Sequence, residues 1–318
     1  MIHIGDLEAD LHEKCNLKCT QCSHSSPHAS FDDEIYALDQ FRDDLYILSN
    51  HLKCKVFRIV GGEPLLNKNL LSYIHEIRKS NICDKVSLFT NGLLIQKVDK
   101  EIFKNLDEVR VSVYALPDNQ HNIIKENLDF LKQFSKLNVE FNHIKTFLAF
   151  NIIEKNNDAN LVKNIFDNCY HKKDSYSIFN GKLYRCFAAR KKYNFLHSNQ
   201  DKVKDNFENL KNNRNDYIFL DSNLSSKQFE NFLFSEKPLD ACAWCLGCSG
   251  RKIKNIQIKN SKSDYLATLN DLNFLEGKSY VSNCLLSWHR NRVNQLKGDS
   301  FYNYEHLKSY IKYHSTNF

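Results

Sequence analysis

Three cysteines crowd the first part of the chain, in the run Cys15-Asn16-Leu17-Lys18-Cys19-Thr20-Gln21-Cys22, a C-x3-C-x2-C spacing. Cysteine thiolates are the usual ligands of iron–sulfur clusters. Three this close can hold three irons of a cubane and leave the fourth iron open to an exogenous ligand. Catalytic zinc sites keep a free coordination position by the same logic. The competing chemistry is a structural zinc site, with His24 or His28 as the fourth ligand. A second set follows: Cys169, Cys186, Cys242, Cys245 and Cys248. Its C-x2-C pairs suit a cluster or a zinc ribbon. Cys54 and Cys83, ahead of the second and third expected strands, read as packing residues, as does Cys284 near Trp288 and His289.

The elements that must position these thiols alternate in type. Residues 7–12, 56–60, 85–89, 108–114 and 139–144 read as strands, and residues 67–78 and 121–134 as amphipathic helices. Strands separated by such helices imply βαβ units and a parallel sheet, open or closed into a barrel. In such sheets ligands sit at the C-terminal strand ends. The first triplet, Gly61-Gly62-Glu63-Pro64 and Asn91-Gly92 all fall at such ends. The polar stretch 155–160 marks a candidate boundary. Beyond it, residues 177–187 read as a hairpin around Asn180-Gly181. Residues 206–237 read as irregular or helical.

Bulk properties bound the reading. The 318 residues are 42% hydrophobic and 26% charged, which allows a sizeable core without disulfides. The net charge of +6 is mild and spread out, so a solvated surface is expected first and a preference for a phosphate-bearing or anionic substrate second. No apolar run is long enough to cross a bilayer and no signal peptide precedes Cys15, so a cytoplasmic protein is expected. Eleven cysteines, an odd number, are then better explained by ligation than by disulfides.

The triplet followed about forty residues later by Gly61-Gly62-Glu63-Pro64 resembles the radical S-adenosylmethionine (SAM) superfamily. The resemblance implies a partial TIM-like (β/α)6 barrel in which Cys15, Cys19 and Cys22 hold a [4Fe–4S] cluster. SAM would chelate its open iron, Glu63 would accept from the SAM ammonium, and Gly61 and Gly62 would let the backbone approach closely. Asn91 and Ser112 lie where members contact the methionine or ribose. Gln21 departs from the pattern, since members usually carry an aromatic residue there that packs near the adenine.

The spacing Cys169-x11-Gly181-x4-Cys186 resembles the opening of a SPASM or twitch domain, the auxiliary-cluster extensions of that superfamily. It implies a small twitch-like domain with a second [4Fe–4S] cluster on Cys169, Cys186, Cys242 and Cys245, for which Cys248 is a substitute ligand. The expected division is a radical SAM core over 1–155, the auxiliary domain over 156–252 and an extension of no assigned role over 253–318.

The resemblance implies reductive SAM cleavage to a 5′-deoxyadenosyl radical and hydrogen abstraction. A reducing partner such as flavodoxin or ferredoxin is expected. With no leader-binding domain expected ahead of Cys15, the reading favours a small molecule, such as a sugar or nucleotide-linked sugar, and a net oxidation or epimerisation. The alternative is a peptide maturase. From another class comes a non-catalytic zinc or iron–sulfur protein that binds nucleic acid or a partner, with Arg251-Lys252-Ile253-Lys254 as its support.

Overall fold

A computed structural model of the chain describes residues 1–29 and 35–276. The strands are β1 (Ile2–Asp10), β2 (Leu52–Val60), β3 (Cys83–Thr90), β4 (Glu108–Val113), β5 (Asn138–His143), β6 (Thr146–Leu148), β7 (Tyr176–Phe179), β8 (Lys182–Tyr184), β9 (Tyr217–Phe219) and β10 (Lys252–Lys254). The helices are α1 (Leu38–Ser49), α2 (Leu70–Ser80), α3 (Glu101–Lys104), α4 (Asp118–Leu131), α5 (Ala159–Asp167), α6 (His171–Asp174), α7 (Phe187–Ser198) and α8 (Ser226–Leu233). Among the described residues no helix is long and apolar enough to cross a membrane.

Eight strands form one sheet in the order β5-β4-β3-β2-β1-β7-β8-β9. β1 to β5 pair in parallel, and β7 joins the other edge of β1, also in parallel. This α/β fold with a mostly parallel sheet is consistent with the expected partial TIM-like barrel, its six parallel strands including β7 beside β1. The hairpin around Asn180-Gly181 is thereby part of the main sheet, and β9 extends it. The sheet crosses the expected boundary at residue 155. β6 and β10 form a separate antiparallel pair.

The cause of the layering is visible along β1. Leu7, Ala9 and Leu11 are fully buried on one face, where the core includes Phe41 of α1, Phe57 of β2 and Tyr73 of α2. Phe41 meets Phe57 edge-on at 6.1 Å and tilts against Tyr73 at 5.2 Å. Each such side chain contributes about 1.5–3 kcal/mol by leaving water. The opposite face of β1 carries Asp6, Glu8 and Asp10, also buried. Parallel strands covered on both faces usually read as continuous apolar runs. Here the other face is polar, with Asp6 paired to Arg58 and Asp10 to Arg190.

Candidate functional site

Just beyond β1 the chain turns through Cys15, Cys19 and Cys22. Cys19 is buried and the other two are half-buried. Hydrogen-bond donors already face each sulfur. Leu17 N donates to Cys15 Sγ at 3.4 Å, Gln257 Nε2 donates to Cys19 Sγ at 3.1 Å, and the backbones of Ser26 and His24 donate to Cys22. Burial, reinforced by the neighbouring thiols, pushes Cys15 and Cys19 up to about 12, and burial raises Cys22 too. Such thiols stay protonated until a cation arrives, and a metal or cluster then deprotonates them outright.

The loop after β2 braces this turn. Gly62 N donates to His12 O at 3.0 Å and Glu63 N to Lys14 O at 2.8 Å. A Cβ on Gly62 would sit 1.9 Å from the Lys14 carbonyl oxygen, so only glycine fits. Glu63 is buried. Its carboxylate accepts from Thr90 Oγ1 at 2.7 Å, Asn91 N at 2.8 Å and Leu65 N at 3.1 Å. Burial nevertheless pushes it up to about 7. Asn91 Nδ2 donates to Asn16 Oδ1 at 2.6 Å and reaches Cys15 Sγ at 3.9 Å. Gly61-Gly62-Glu63, Asn91 and the triplet therefore meet at the C-terminal ends of β1, β2 and β3. Ser112, half-buried on β4, bonds the Tyr114 side chain. Burial and then Cys22 and Cys19 drive the Tyr114 hydroxyl far up, so this aromatic residue stands beside the triplet. The sequence reading passed over it.

Gln21 is explained by what it holds. Its Nε2 donates to Asn151 O at 3.1 Å and Tyr265 O at 2.7 Å, while its Oε1 accepts from Phe150 N at 3.2 Å and Asn151 N at 3.0 Å. The residue is 1% exposed. It ties the triplet loop to the second half of the chain. His28 does the same, with Nδ1 2.6 Å from Ser198 Oγ and Nε2 2.8 Å from Asp264 Oδ2. Both its ring nitrogens are thus engaged away from the triplet. His24 pairs with Asp10 at 3.0 Å and stacks on Phe187.

The polar face of the sheet adjoins this region. Register puts Ser177, Glu8, Arg58, Ser87 and Glu108 in one row, and Phe89, Arg110 and Glu140 in the next. Arg110 pairs with Glu108 at 2.7 Å and Glu140 at 3.3 Å. Arg58 and Arg110 lie over the Phe89 ring, 5.6 and 5.4 Å from its centroid. Burial pushes Glu8 up to about 7. Burial alone would raise Asp10 too, but Lys191, Arg190 and His24 hold it well below the usual carboxylate range.

The later cysteines also converge. A hydrogen bond with Cys248, together with burial, pushes the Cys169 thiol far up. Burial raises Cys186, Cys242 and Cys245, and Cys186 and Cys242 are raised further by one another's neighbours in the set. Cys186 caps α7 and accepts from Ala188 and Ala189 at its N-terminus. Gly247 N donates to Cys245 Sγ at 3.2 Å. Buried Lys192, bonded to Asn151, offsets part of the rise that burial causes at Cys245. Asn151 pairs with Cys245 across an antiparallel bridge, so Gln21 and Asn151 link the two cysteine sets. Cys54 and Cys83 are register partners at the far ends of β2 and β3. Cys284, Trp288 and His289 lie outside the described residues. Among the described residues no three His, Cys, Asp or Glu side chains converge as a single metal ion requires.

The donors fit the group that the resemblance implies. Three soft thiols carry N–H donors, and the fully buried Asn255 side chain adds another toward Cys19. Interior N–H groups turned toward a sulfur suit an anionic thiolate.

Known proteins are similar to parts of the chain. Curated relatives include GTP 3',8-cyclases of Desulforamulus reducens, 30% identical over 130 residues, and of Helicobacter pylori, 30% identical over 145 residues. These alignments cover 39% and 43% of the chain and 38% and 45% of the relatives, so the chain spans under half their length. Similar solved structures include BtrN in complex with AdoMet and 2-DOIA, at TM-score 0.42 and 15% identity over 77% of this chain and 94% of that one. Another is native anSMEcpe with bound AdoMet, at TM-score 0.35 and 23% identity over 43% and 42%. Residues 11–159 match the Radical SAM superfamily, and this part of the chain is a radical SAM superfamily domain.

Proposed function

We propose that the chain is a radical SAM enzyme acting on a polar small molecule. Cys15, Cys19 and Cys22 hold a [4Fe–4S] cluster, and Gly61, Gly62, Glu63, Asn91 and Ser112 form the SAM side of the site. Reduced by one electron with SAM bound, such a cluster supplies a 5′-deoxyadenosyl radical able to take hydrogen from an unactivated C–H bond. The protein's own residues orient and shield. The observation that carries the reading is the meeting of one buried and two half-buried thiols with the Asn91–Glu63 network at the C-terminal strand ends. Glu63 holds the loops after β2 and β3 together and keeps acceptor capacity for an ammonium group.

The finer reading assigns an auxiliary [4Fe–4S] cluster to Cys169, Cys186, Cys242 and Cys245, with Cys248 as the substitute ligand, in a twitch-like unit. Its support is the mutual electrostatic influence of these half-buried thiols, with Cys186 at the N-terminus of α7. The polar sheet face with Glu8, Arg58 and Arg110 supports a hydroxyl-bearing substrate such as a sugar or nucleotide-linked sugar. Curated relatives named for a nucleotide reaction agree with that class. Net oxidation or epimerisation is the expected outcome, with flavodoxin or ferredoxin as reductant.

Anaerobic reconstitution, reduction and addition of SAM tests the reading. The expected result is 5′-deoxyadenosine from the wild type and none from Cys19→Ala. Cleavage by Cys19→Ala at the wild-type rate would overturn it. Zinc without sulfide would favour a binding protein instead.

A further inference from the structure

Residues far from the radical SAM domain reach the first triplet. The chain after β10 pairs Gln257 with Cys19 in an antiparallel bridge and bonds Ile258 N to Lys18 O at 2.7 Å. The Gln257 side chain is oriented without ambiguity. Lys18 N donates to its Oε1 at 2.8 Å, so the atom facing a sulfur must be the amide nitrogen, which donates to Cys19 Sγ at 3.1 Å. Asn255 is set the same way. Ala115 N donates to its Oδ1 at 3.2 Å, which leaves the fully buried Nδ2 as the donor turned toward Cys19. Asp264 pins the strap from the other end, accepting from Thr20 Oγ1 at 2.7 Å and Gln21 N at 2.8 Å.

We propose that Gln257 and Asn255 form an amide pair that donates to the Cys19 sulfur and raises the reduction potential of the cluster bound there. This rests on the reading that the triplet holds a [4Fe–4S] cluster. Donors aimed at a ligand sulfur stabilise the charge that reduction adds, and such hydrogen bonds are among the determinants of cluster potential. Both residues act through Cys19 and are positioning residues. They lie outside residues 11–159, so the potential of the domain's cluster is set in part by the second half of the chain.

The test compares full-length wild type, Gln257→Glu and Asn255→Asp, reconstituted anaerobically. Each variant keeps an oxygen for the backbone N–H that orients it and replaces the donor with a second oxygen. Iron and sulfide content comes first, followed by a potentiometric titration monitored by the electron paramagnetic resonance signal that SAM perturbs. The expected result is unchanged iron content and a midpoint shifted to more negative potential in each variant. Equal midpoints with the SAM-sensitive signal intact would overturn the amide-pair proposal alone. A wild type with no SAM-sensitive signal would overturn the cluster reading beneath it. Should one variant lose iron, the other carries the same measurement.

Discussion

Replacing Gln21 with phenylalanine restores the residue type usual at this position in the superfamily, and it is expected to damage the protein. The Gln21 side chain makes four hydrogen bonds to backbone groups of Phe150, Asn151 and Tyr265, in a position 1% exposed. Phenylalanine can satisfy none of them. Leaving a buried donor unmade costs about 1–3 kcal/mol, so the Phe150 and Asn151 N–H groups together cost roughly 2–6 kcal/mol. Overfilling a packed site adds roughly 1–3 kcal/mol. The gain from an aromatic contact with a ligand ring is about 0.5–1.5 kcal/mol, so the loss wins. Gln21→Glu provides the graded control. It keeps oxygens for the two N–H donors but turns a second oxygen toward the Asn151 and Tyr265 carbonyls. The assay is urea unfolding of the reconstituted protein with iron content measured in parallel. The expected order of stability is wild type, Gln21→Glu, Gln21→Phe, with iron lost in the last. A Gln21→Phe protein with full iron content and a wild-type unfolding midpoint would refute the reasoning.

Gly62→Ala places a methyl 1.9 Å from the Lys14 carbonyl oxygen, so the chain just before Cys15 must move by roughly 1 Å. The expectation is reduced iron content and a lowered melting temperature, both read on the purified protein, and wild-type values of both would count against the close-approach argument. Glu8, raised to about 7 by burial, holds its proton better folded than unfolded, so its contribution to stability is complete below its ordinary value of 4.5 and is lost as pH rises through 7. That loss amounts to about 3 kcal/mol. Gln cannot ionise, so Glu8→Gln should be more stable than wild type at pH 8 by that order and nearly equal at pH 5; urea titrations that differ equally at both values would contradict it. Cys186→Ala should lower iron from about eight to about four per chain while leaving 5′-deoxyadenosine formation detectable. Unchanged iron content would remove Cys186 from the auxiliary set.

Local pattern carried most of the first half of the fold. The apolar runs of β2, β3 and β4 sit where expected because each is a short buried stretch closed by a turn, as at Gly61-Gly62 and Asn91-Gly92. The Asn180-Gly181 turn was legible because both residues take positive φ, 43° and 73°, as a tight hairpin requires. Its place in the molecule was not legible. β7 pairs with an edge of β1 that is more than 160 residues away in sequence, and no local periodicity encodes which edge a strand joins. β9 was missed because Tyr217–Phe219 is three residues long inside a polar stretch.

At the site, residue type gave the thiols and the Gly61-Gly62-Glu63 turn, whereas their supports come from positions without a motif. Gln21 stood out only as a departure, and its partners at 150, 151 and 265 are carbonyls and amides that any residue possesses. Gln257, Asn255 and Asp264 fall in a stretch to which the sequence assigned no role, yet they bind Cys19, Thr20 and Gln21 directly. The departure and the strap have one physical origin. A triplet loop held by the second half of the chain needs a side chain at position 21 that both donates and accepts toward that half. An aromatic ring there would face the ligand but leave Asn151, and through it Cys245 and Lys192, without their tie to the triplet. Glutamine at 21 is therefore what a domain braced from its own C-terminal side requires.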